Sequence, residues 1–260
     1  MQRPSPHAFS DDTGPFDLIG DIHGCAGEAE TLLKKLGYRL GEEGPRGKRH
    51  YSVSHPDGRK PVFLGDLVDR GPRSPDVLRL VMGMTKAGQA YTVMGNHDDK
   101  FRRWLDGHHV HLTHGIEETI TQFEIEPDAF KAEVRNFLYY LPTHLILDNG
   151  ELLVAHAGLA KKFHGISSGQ ERAFALFGDV AKQRDKYNLP VRRNWAAEYR
   201  GRRTVVHGHV AEPQVRELNN VICIDTGCCF GGGLTAMRWP ERELVTVPAE
   251  QAYFHSPRWG

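Results

Sequence analysis

The stretch FDLIGDIHG, residues 16–24, decides how the rest of the chain is read. An apolar run from Phe16 to Ile19 passes straight into Gly20, Asp21, one spacer, His23 and Gly24. Short apolar runs bounded by turn residues read as core strands. Here the strand end is followed by a carboxylate and an imidazole, between glycines that let the backbone turn sharply. The pattern recurs along the chain. The run 62–64 leads to Gly65 and Asp66, 92–94 to Gly95, Asn96 and His97, and 152–154 to Ala155 and His156. The run 204–206 leads to His207, Gly208 and His209, and 221–224 to Asp225, Thr226 and Gly227. Helical patterns over 27–36, 74–87 and 116–123 fill several gaps, and the last third is mostly strand-like. A helix-covered parallel or mixed sheet binds its ligands at the carboxyl ends of its strands. The polar strand ends are therefore expected to meet at one rim.

Composition narrows the possible partners. The 260 residues can bury a sizeable core. The 33 basic side chains balance 33 acidic ones, so no global field favours nucleic acid or an anionic membrane. No stretch approaches the roughly 18 apolar residues of a membrane span, and the N-terminus has no apolar signal-like core. A cytoplasmic protein is expected, with no membrane partner and no stable nucleic-acid complex; the oligomeric state stays open. Residues 1–15 read as a flexible tail, 16–260 as a single domain, and the polar segment 41–60 as a loop or exposed hairpin.

Carboxylate, amide and imidazole donors together suit divalent Mn, Fe, Co or Zn better than Ca. Asp21, His23, Asp66, Asn96, His156 and His209 are too many ligands for one tetrahedral zinc. They are about right for two ions sharing a carboxylate, an arrangement that clamps a phosphate. Each histidine taken alone is more often structural; their joint placement after apolar runs makes the metal reading the better one.

In chain order GDIHG (20–24), GDLVDRG (65–71), GNHD (95–98), HAG (156–158) and GH (208–209) resemble the five blocks of the calcineurin-like metallophosphoesterases. The likeness covers 16–247. It is closest to the branch of serine/threonine phosphoprotein phosphatases and bacterial dinucleoside tetraphosphatases. Within that branch, VLRLVMGMTKAG (77–88), HLTHGIEETI (111–120), VAHAGL (154–159), LPVRRNWAAEYRGR (189–202) and the stretch 221–249 look like the phosphatase domain of bacterial RNA-repair polynucleotide kinase–phosphatases.

The resemblance implies an α/β (α+β) fold: a two-sheet β-sandwich flanked by helices in four αββα layers. It implies two divalent ions, most readily Mn, with Fe, Zn, Ni or Co as alternatives. One ion takes Asp21, His23 and Asp66; the other takes Asp66, Asn96, His156 and His209. It further implies direct attack on phosphorus by a metal-bridging hydroxide. His97 would protonate the leaving oxygen, Asp69 would orient His97, and Arg70 would grip the phosphate. Asp225 matches an orienting aspartate, against the simpler reading of a turn cap before Gly227.

The implied substrate is a phosphorylated small molecule, a nucleotide or an RNA end. Dinucleoside tetraphosphates and 2′,3′-phosphate or cyclic phosphate ends lead, and a phosphoprotein is the alternative. A non-catalytic phosphate- or nucleotide-binding regulator is the alternative of a different class, although no ligand position is missing.

Three other stretches carry two readings each. In RRNWAAEYRGRR (192–203), Arg192, Arg193 and Arg200 bind substrate phosphates with Trp195 and Tyr199 nearby, or the aromatics pack inward and the arginines stay wet. The histidine-rich DGHHVHLTHG (106–115) is expected to be a solvated loop rather than a second metal site. Cys25, Cys228 and Cys229 are expected near the rim, as buried reduced thiols or as redox-sensitive ones.

Overall fold

The computed structural model describes residues 4–45, 50–186, 190–256 and 259. The first half runs β1 (Phe16–Ile19), α1 (Ala26–Leu36), β2 (Arg39–Glu43), β3 (His50–Ser54), β4 (Lys60–Phe63), α2 (Ser74–Lys86), β5 (Tyr91–Thr92), α3 (Asn96–Leu105), α4 (Ile116–Glu124) and α5 (Asp128–Tyr140). The second half runs β6 (His144–Leu147), β7 (Leu152–Ala155), α6 (Gly169–Phe177), β8 (Val180–Arg184), β9 (Pro190–Arg192), β10 (Thr204–His207), β11 (Arg216–Leu218), β12 (Val221–Cys223), β13 (Gly233–Trp239) and β14 (Leu244–Pro248). One sheet has the order β14-β13-β1-β4-β5, the other β11-β12-β10-β7-β6. In each sheet three adjacent strands are parallel: β1, β4 and β5 in the first, β7, β10 and β12 in the second.

The apolar runs show no polar alternation because the central strands are covered on both faces. Alternation survives as a choice between two cores. Phe16 and Leu18 point inward between the sheets, while Ile19 points to the helices. Val62 and Leu64 face inward, and Phe63 faces out. The second sheet repeats this: Leu152, Val154 and Val206 meet the first sheet, while Leu153, Ala155 and Val205 pack under α6 and the turn at Trp195–Glu198. Side chains of period two feeding three apolar layers make the sandwich. α1 and α2 cover the outer face of the first sheet and α6 that of the second, so the expected αββα layering is what the chain forms.

The polar segment after α1 folds as the β2–β3 hairpin, Arg39 pairing with Ser54. Residues 4–15 depart from the flexible tail expected of them. Pro6 O accepts from Ile146 N (2.9 Å) and Asp12 O from Asp148 N (2.8 Å), covering β6 at the edge of its sheet. The Asp12 carboxylate accepts from Tyr91 Oη (2.6 Å) and Lys60 Nζ (2.5 Å), and Phe9 lies 4.7 Å from the Tyr91 ring. These partners are distant in sequence, so local composition gives no sign of them. No described helix is long and apolar enough to cross a membrane.

Candidate active site

The parallel strands of both sheets deliver their C-terminal residues to one rim. β1 delivers Asp21 and His23, β4 delivers Asp66, β7 His156, β10 His209 and β12 Asp225; Asn96 and His97 open α3 just after β5. The turns that do this are strained. His23, Asp66, Asp69, Arg70 and His209 all have positive φ, between 46° and 75°. Non-glycine residues are uncommon there and cluster where surrounding structure forces them. Two glycines make room for the carboxylates. A Cβ on Gly208 would collide with Asp21 Oδ1, and one on Gly95 with Asp66 Oδ1 and the Asp66 backbone.

Two donor clusters share Asp66. One holds His23, Asp66 and His97; the other holds Asp66, His156 and His209. Asp66 Oδ2 lies 3.5 Å from His23 Nε2 and 3.3 Å from His156 Nε2. The second nitrogen of each ring fixes its tautomer. His23 Nδ1 donates to Val68 O (2.9 Å) and His156 Nδ1 to Leu64 O (3.0 Å), since a carbonyl only accepts. In the neutral rings Nε2 is then a lone pair. His156 Nε2 faces Asn96 Oδ1 (3.0 Å), His209 Nδ1 (3.0 Å) and Asp66 Oδ2, so atoms able to ligate a metal converge on one point. Asp21 Oδ1 and His209 Nε2 are buried with no partner, while Asp21 Oδ2 accepts from His209 N (2.9 Å). Ligand atoms of mixed oxygen and nitrogen type, gathered out of water and two of them without a partner, fit a divalent transition-metal centre.

The electrostatics agree. Burial, together with Arg70, holds His23 well below the usual imidazole range, and burial with Arg192 does the same for His209. Burial works against the Asp66 anion, but His156, His97 and His23 outweigh it and hold the carboxyl well below its ordinary value. Burial and the neighbouring Asp225 push Asp21 up. Burial lowers His156, yet Asp66 and Asp21 overcome it and raise it to about 9, so without metal the cluster binds a proton instead.

Beside these donors, His97 Nδ1 meets Asp69 Oδ2 at 2.6 Å. Its Nε2 accepts from Arg70 Nη2 (2.9 Å), and Arg70 Nη1 reaches His23 Nε2 (2.7 Å). Arg70 Nε is buried with no partner, and the guanidinium lies 5.0 Å from the Phe230 ring centre. Asp225 accepts from Gly227 N (3.0 Å), the turn-cap geometry, and it also stands close enough to Asp21 to raise it.

The arginine cluster divides. Arg192 and Arg193 line a pocket that also contains His209, whereas Arg200 bonds the carbonyls of Ala197 and Tyr199 (both 2.8 Å) away from it. Trp195 packs against Phe174, His207 and Tyr199 and also lines the pocket. Cys25, Cys228 and Cys229 are buried. The Cys228 hydrogen bond and burial push the Cys25 thiol well up, and burial pushes Cys229 to about 12. Protonated buried thiols are unreactive, which fits plain structural cysteines. The residues 106–115 form a largely exposed loop without strand or helix beyond its ends, as expected.

Sequence reasoning missed the struts. Asp98 accepts from Leu67 N (2.9 Å) and Gly95 N (3.0 Å), fixing the two carboxylate-bearing turns to each other. From α4, Thr119 Oγ1 accepts from Asp69 N (2.8 Å), and Gln122 spans Ser74 N (2.7 Å) and Gly71 O (3.0 Å). Asp98 was visible as the last letter of GNHD. Thr119 and Gln122 carry no motif.

A two-sheet sandwich with this donor cluster at the C-terminal rim of its parallel strands defines a metal-dependent phosphoester hydrolase. The chain belongs to the calcineurin-like phosphoesterase family, whose model matches residues 14–243. It is 42% identical to the asymmetrical bis(5′-nucleosyl)-tetraphosphatase PrpE of Anoxybacillus flavithermus, over 92% of this chain and 96% of that one. The protein of the same name from Bacillus subtilis is 41% identical, over 93% and 97%. A solved structure provisionally assigned as a diadenosine tetraphosphatase has TM-score 0.64 at 26% identity, covering 93% of this chain and 96% of that one. A serine/threonine phosphatase from Saccharomyces cerevisiae has TM-score 0.63 at 15% identity, covering 97% and 85%, a likeness of fold alone.

Proposed function

We propose that this phosphoesterase hydrolyses dinucleoside tetraphosphates asymmetrically, adding water to release a nucleoside monophosphate and a nucleoside triphosphate. The substrate reading leans on the tetraphosphatase relatives. The observation that carries the chemistry is the convergence on His156 Nε2 of Asn96 Oδ1 (3.0 Å), His209 Nδ1 (3.0 Å) and Asp66 Oδ2 (3.3 Å). His23, Asp21 and Asp66 would hold one ion, and Asp66, Asn96, His156 and His209 the other, with Asp66 shared. Two bound divalent ions, Mn first among them, supply an acidified water and neutralise phosphoryl charge.

The chain's own groups complete the reaction. Arg70 carries five donors in a fixed fork and an unpartnered buried Nε, and it grips the phosphoryl oxygens. In doing so it gives up its bond to His97 Nε2. His97 Nε2, once protonated, faces the leaving oxygen and donates to it. Asp69, on Nδ1, holds the ring in place and stabilises its charged form. Asp225, held by Gly227 N, stands near Asp21 and raises it, and takes no step of its own.

A substrate panel tests the assignment: aryl phosphate, a 2′,3′-cyclic nucleotide, diadenosine tetraphosphate and a phosphopeptide, each with Mn and with chelator. AMP plus ATP from the tetraphosphate, abolished by chelator, is the expected result. Two ADP, or a faster reaction on cyclic nucleotide or phosphopeptide, would overturn the substrate. Undetectable hydrolysis of all four would return the chain to the binding-protein class.

A further inference from the structure

Where α1 begins, a second set of metal-capable groups meets. Cys25 occupies the N-cap of α1, Glu28 stands in its first turn, and Cys228 lies in the turn between β12 and β13. One ligand atom from each, two sulfurs and a carboxylate oxygen, lie within 4.8 Å of one another, and all three residues are buried. The Cys25 thiol is hydrogen-bonded to Cys228. None of the three belongs to the two clusters that share Asp66. Glu28 is the unusual member. It is only 2% exposed. Its Oε1 accepts from Tyr253 Oη (2.9 Å) and Glu250 N (3.0 Å), both uncharged donors. Among the described residues no basic side chain forms an ion pair with it. A buried carboxylate is ordinarily paired with a cation or bound to a metal, and the start of α1 offers only a partial positive charge.

We propose that Cys25, Cys228 and Glu28 form a zinc site separate from the phosphoesterase centre. Thiolate sulfur favours zinc, whereas carboxylate and water favour manganese, so the two sites differ in the ion they select. Three protein ligands leave the fourth position of a tetrahedral zinc to water. Donors around such an ion stand roughly 3.5–3.8 Å apart, so the cluster closes on it with side-chain shifts of about an ångström. Zinc deprotonates a coordinating thiol, and the protons pass to solvent. The surroundings suit a ligand set. Tyr253 and Glu250 hold the carboxylate in place, the support that a ligating group needs. Glu28 is also a wall of a cavity of about 480 Å³, which gives the ion a way in. The ion acts as a staple between the start of α1 and the β12–β13 turn. Cys25 comes two residues after His23, and Cys228 three after Asp225, so both rim turns are tied. Cys229, the next residue, meets Arg70 Nη1 (3.7 Å).

The test reads sulfur ligation directly, so it does not depend on activity or on the substrate. Mn-loaded protein is titrated with Cd²⁺, a zinc analogue whose bond to thiolate gives an ultraviolet charge-transfer band. The unaltered protein and Cys223→Ser should show the band, saturating at one ion per chain, and Zn²⁺ should abolish it by displacement. Cys25→Ser and Cys228→Ser should lack the band. Glu28→Gln should keep it, with affinity lowered about tenfold or more. Zn²⁺ should raise the melting temperature of the Mn-loaded unaltered protein but not that of Cys228→Ser. No band at saturating Cd²⁺, or a band that survives both Cys25→Ser and Cys228→Ser, overturns the proposal. Should the serine variants not fold, crystals of the unaltered protein soaked in Mn²⁺ and then Zn²⁺ decide the matter. An anomalous zinc peak between the Cys25 and Cys228 sulfurs supports the site, and its absence overturns it.

Discussion

The two sheets end at the same rim but hand the chain on differently. Past the first sheet, β1 leads into α1 and β4 into α2, and α3 starts shortly after β5; ligands and helix starts are only residues apart. Past the second sheet, β7, β10 and β12 run into loops, and the pocket at His209 is collected from β9, β11 and the turn at Trp195–Glu198. A helix start held by its own struts makes a stiff, contiguous ligand block. A rim of loops makes a pocket, and pockets are where specificity is built. The first sheet therefore brings Arg70, His97 and Asp69 together beside the donor cluster, while the second brings Arg192 and Arg193 to the pocket at His209.

The largest effect should come from the residue shared by the two halves. Asp66→Ala is expected to lower kcat/KM for aryl phosphate by on the order of 10⁴ or more and to lower bound Mn with it. Metal analysis beside kinetics checks this, and a variant that keeps full metal but loses activity would assign Asp66 elsewhere. Next, on the first-sheet side only, His97→Ala should retain metal. It should slow esters with poor leaving groups by roughly 10²–10⁴, and activated aryl phosphates less. Equal losses on both ester types would remove the proton-donor role.

The second-sheet side is probed at Gly208. The added Cβ in Gly208→Ala meets Asp21 Oδ1. Metal affinity should fall about 10–100-fold, as for other displaced supports of a ligand, with the mature fold intact by circular dichroism. Unchanged Mn affinity would mean that the rim is looser than its strained turns imply.

The smallest effect is one of pH. In chelator-treated protein His156 is raised to about 9 and Asp98 to about 7. Burial and Asp66 raise Asp98; Asp66 and Asp21 raise His156 against burial. Both groups hold a proton more tightly folded than unfolded, so their stabilisation is complete below the unfolded values and is lost as pH rises through the folded ones. The melting temperature without metal should drop by several degrees between pH 6.5 and 9, and Mn should restore it at the alkaline end. A flat profile without metal would contradict the protonated cluster.

How much of this was legible in the sequence follows the same division. GDIHG, GDLVDRG and GNHD are contiguous, because a strand end, a sharp turn and a helix start fit within a few residues. Asp21, His23, Asp66, Asn96 and His97 could be read from them together. His156 and His209 were legible through their apolar runs. Thr119 and Gln122 were not, since an ordinary amphipathic helix gives no sign that two of its side chains brace a turn some fifty residues earlier. Arg216, which lines the pocket at His209, was hidden for a similar reason: its place depends on a strand register, Arg216 opposite Cys223, that no spacing encodes. The inward packing of Trp195 and the attachment of residues 4–15 likewise arise only when distant segments meet.

Anomalous diffraction from Mn-loaded crystals measures the central assignment without recourse to activity. Two peaks should appear on either side of the Asp66 carboxylate, one against His23 and Asp21, the other against Asn96, His156 and His209. A single peak remote from Asp66, or none at saturating Mn, would contradict it.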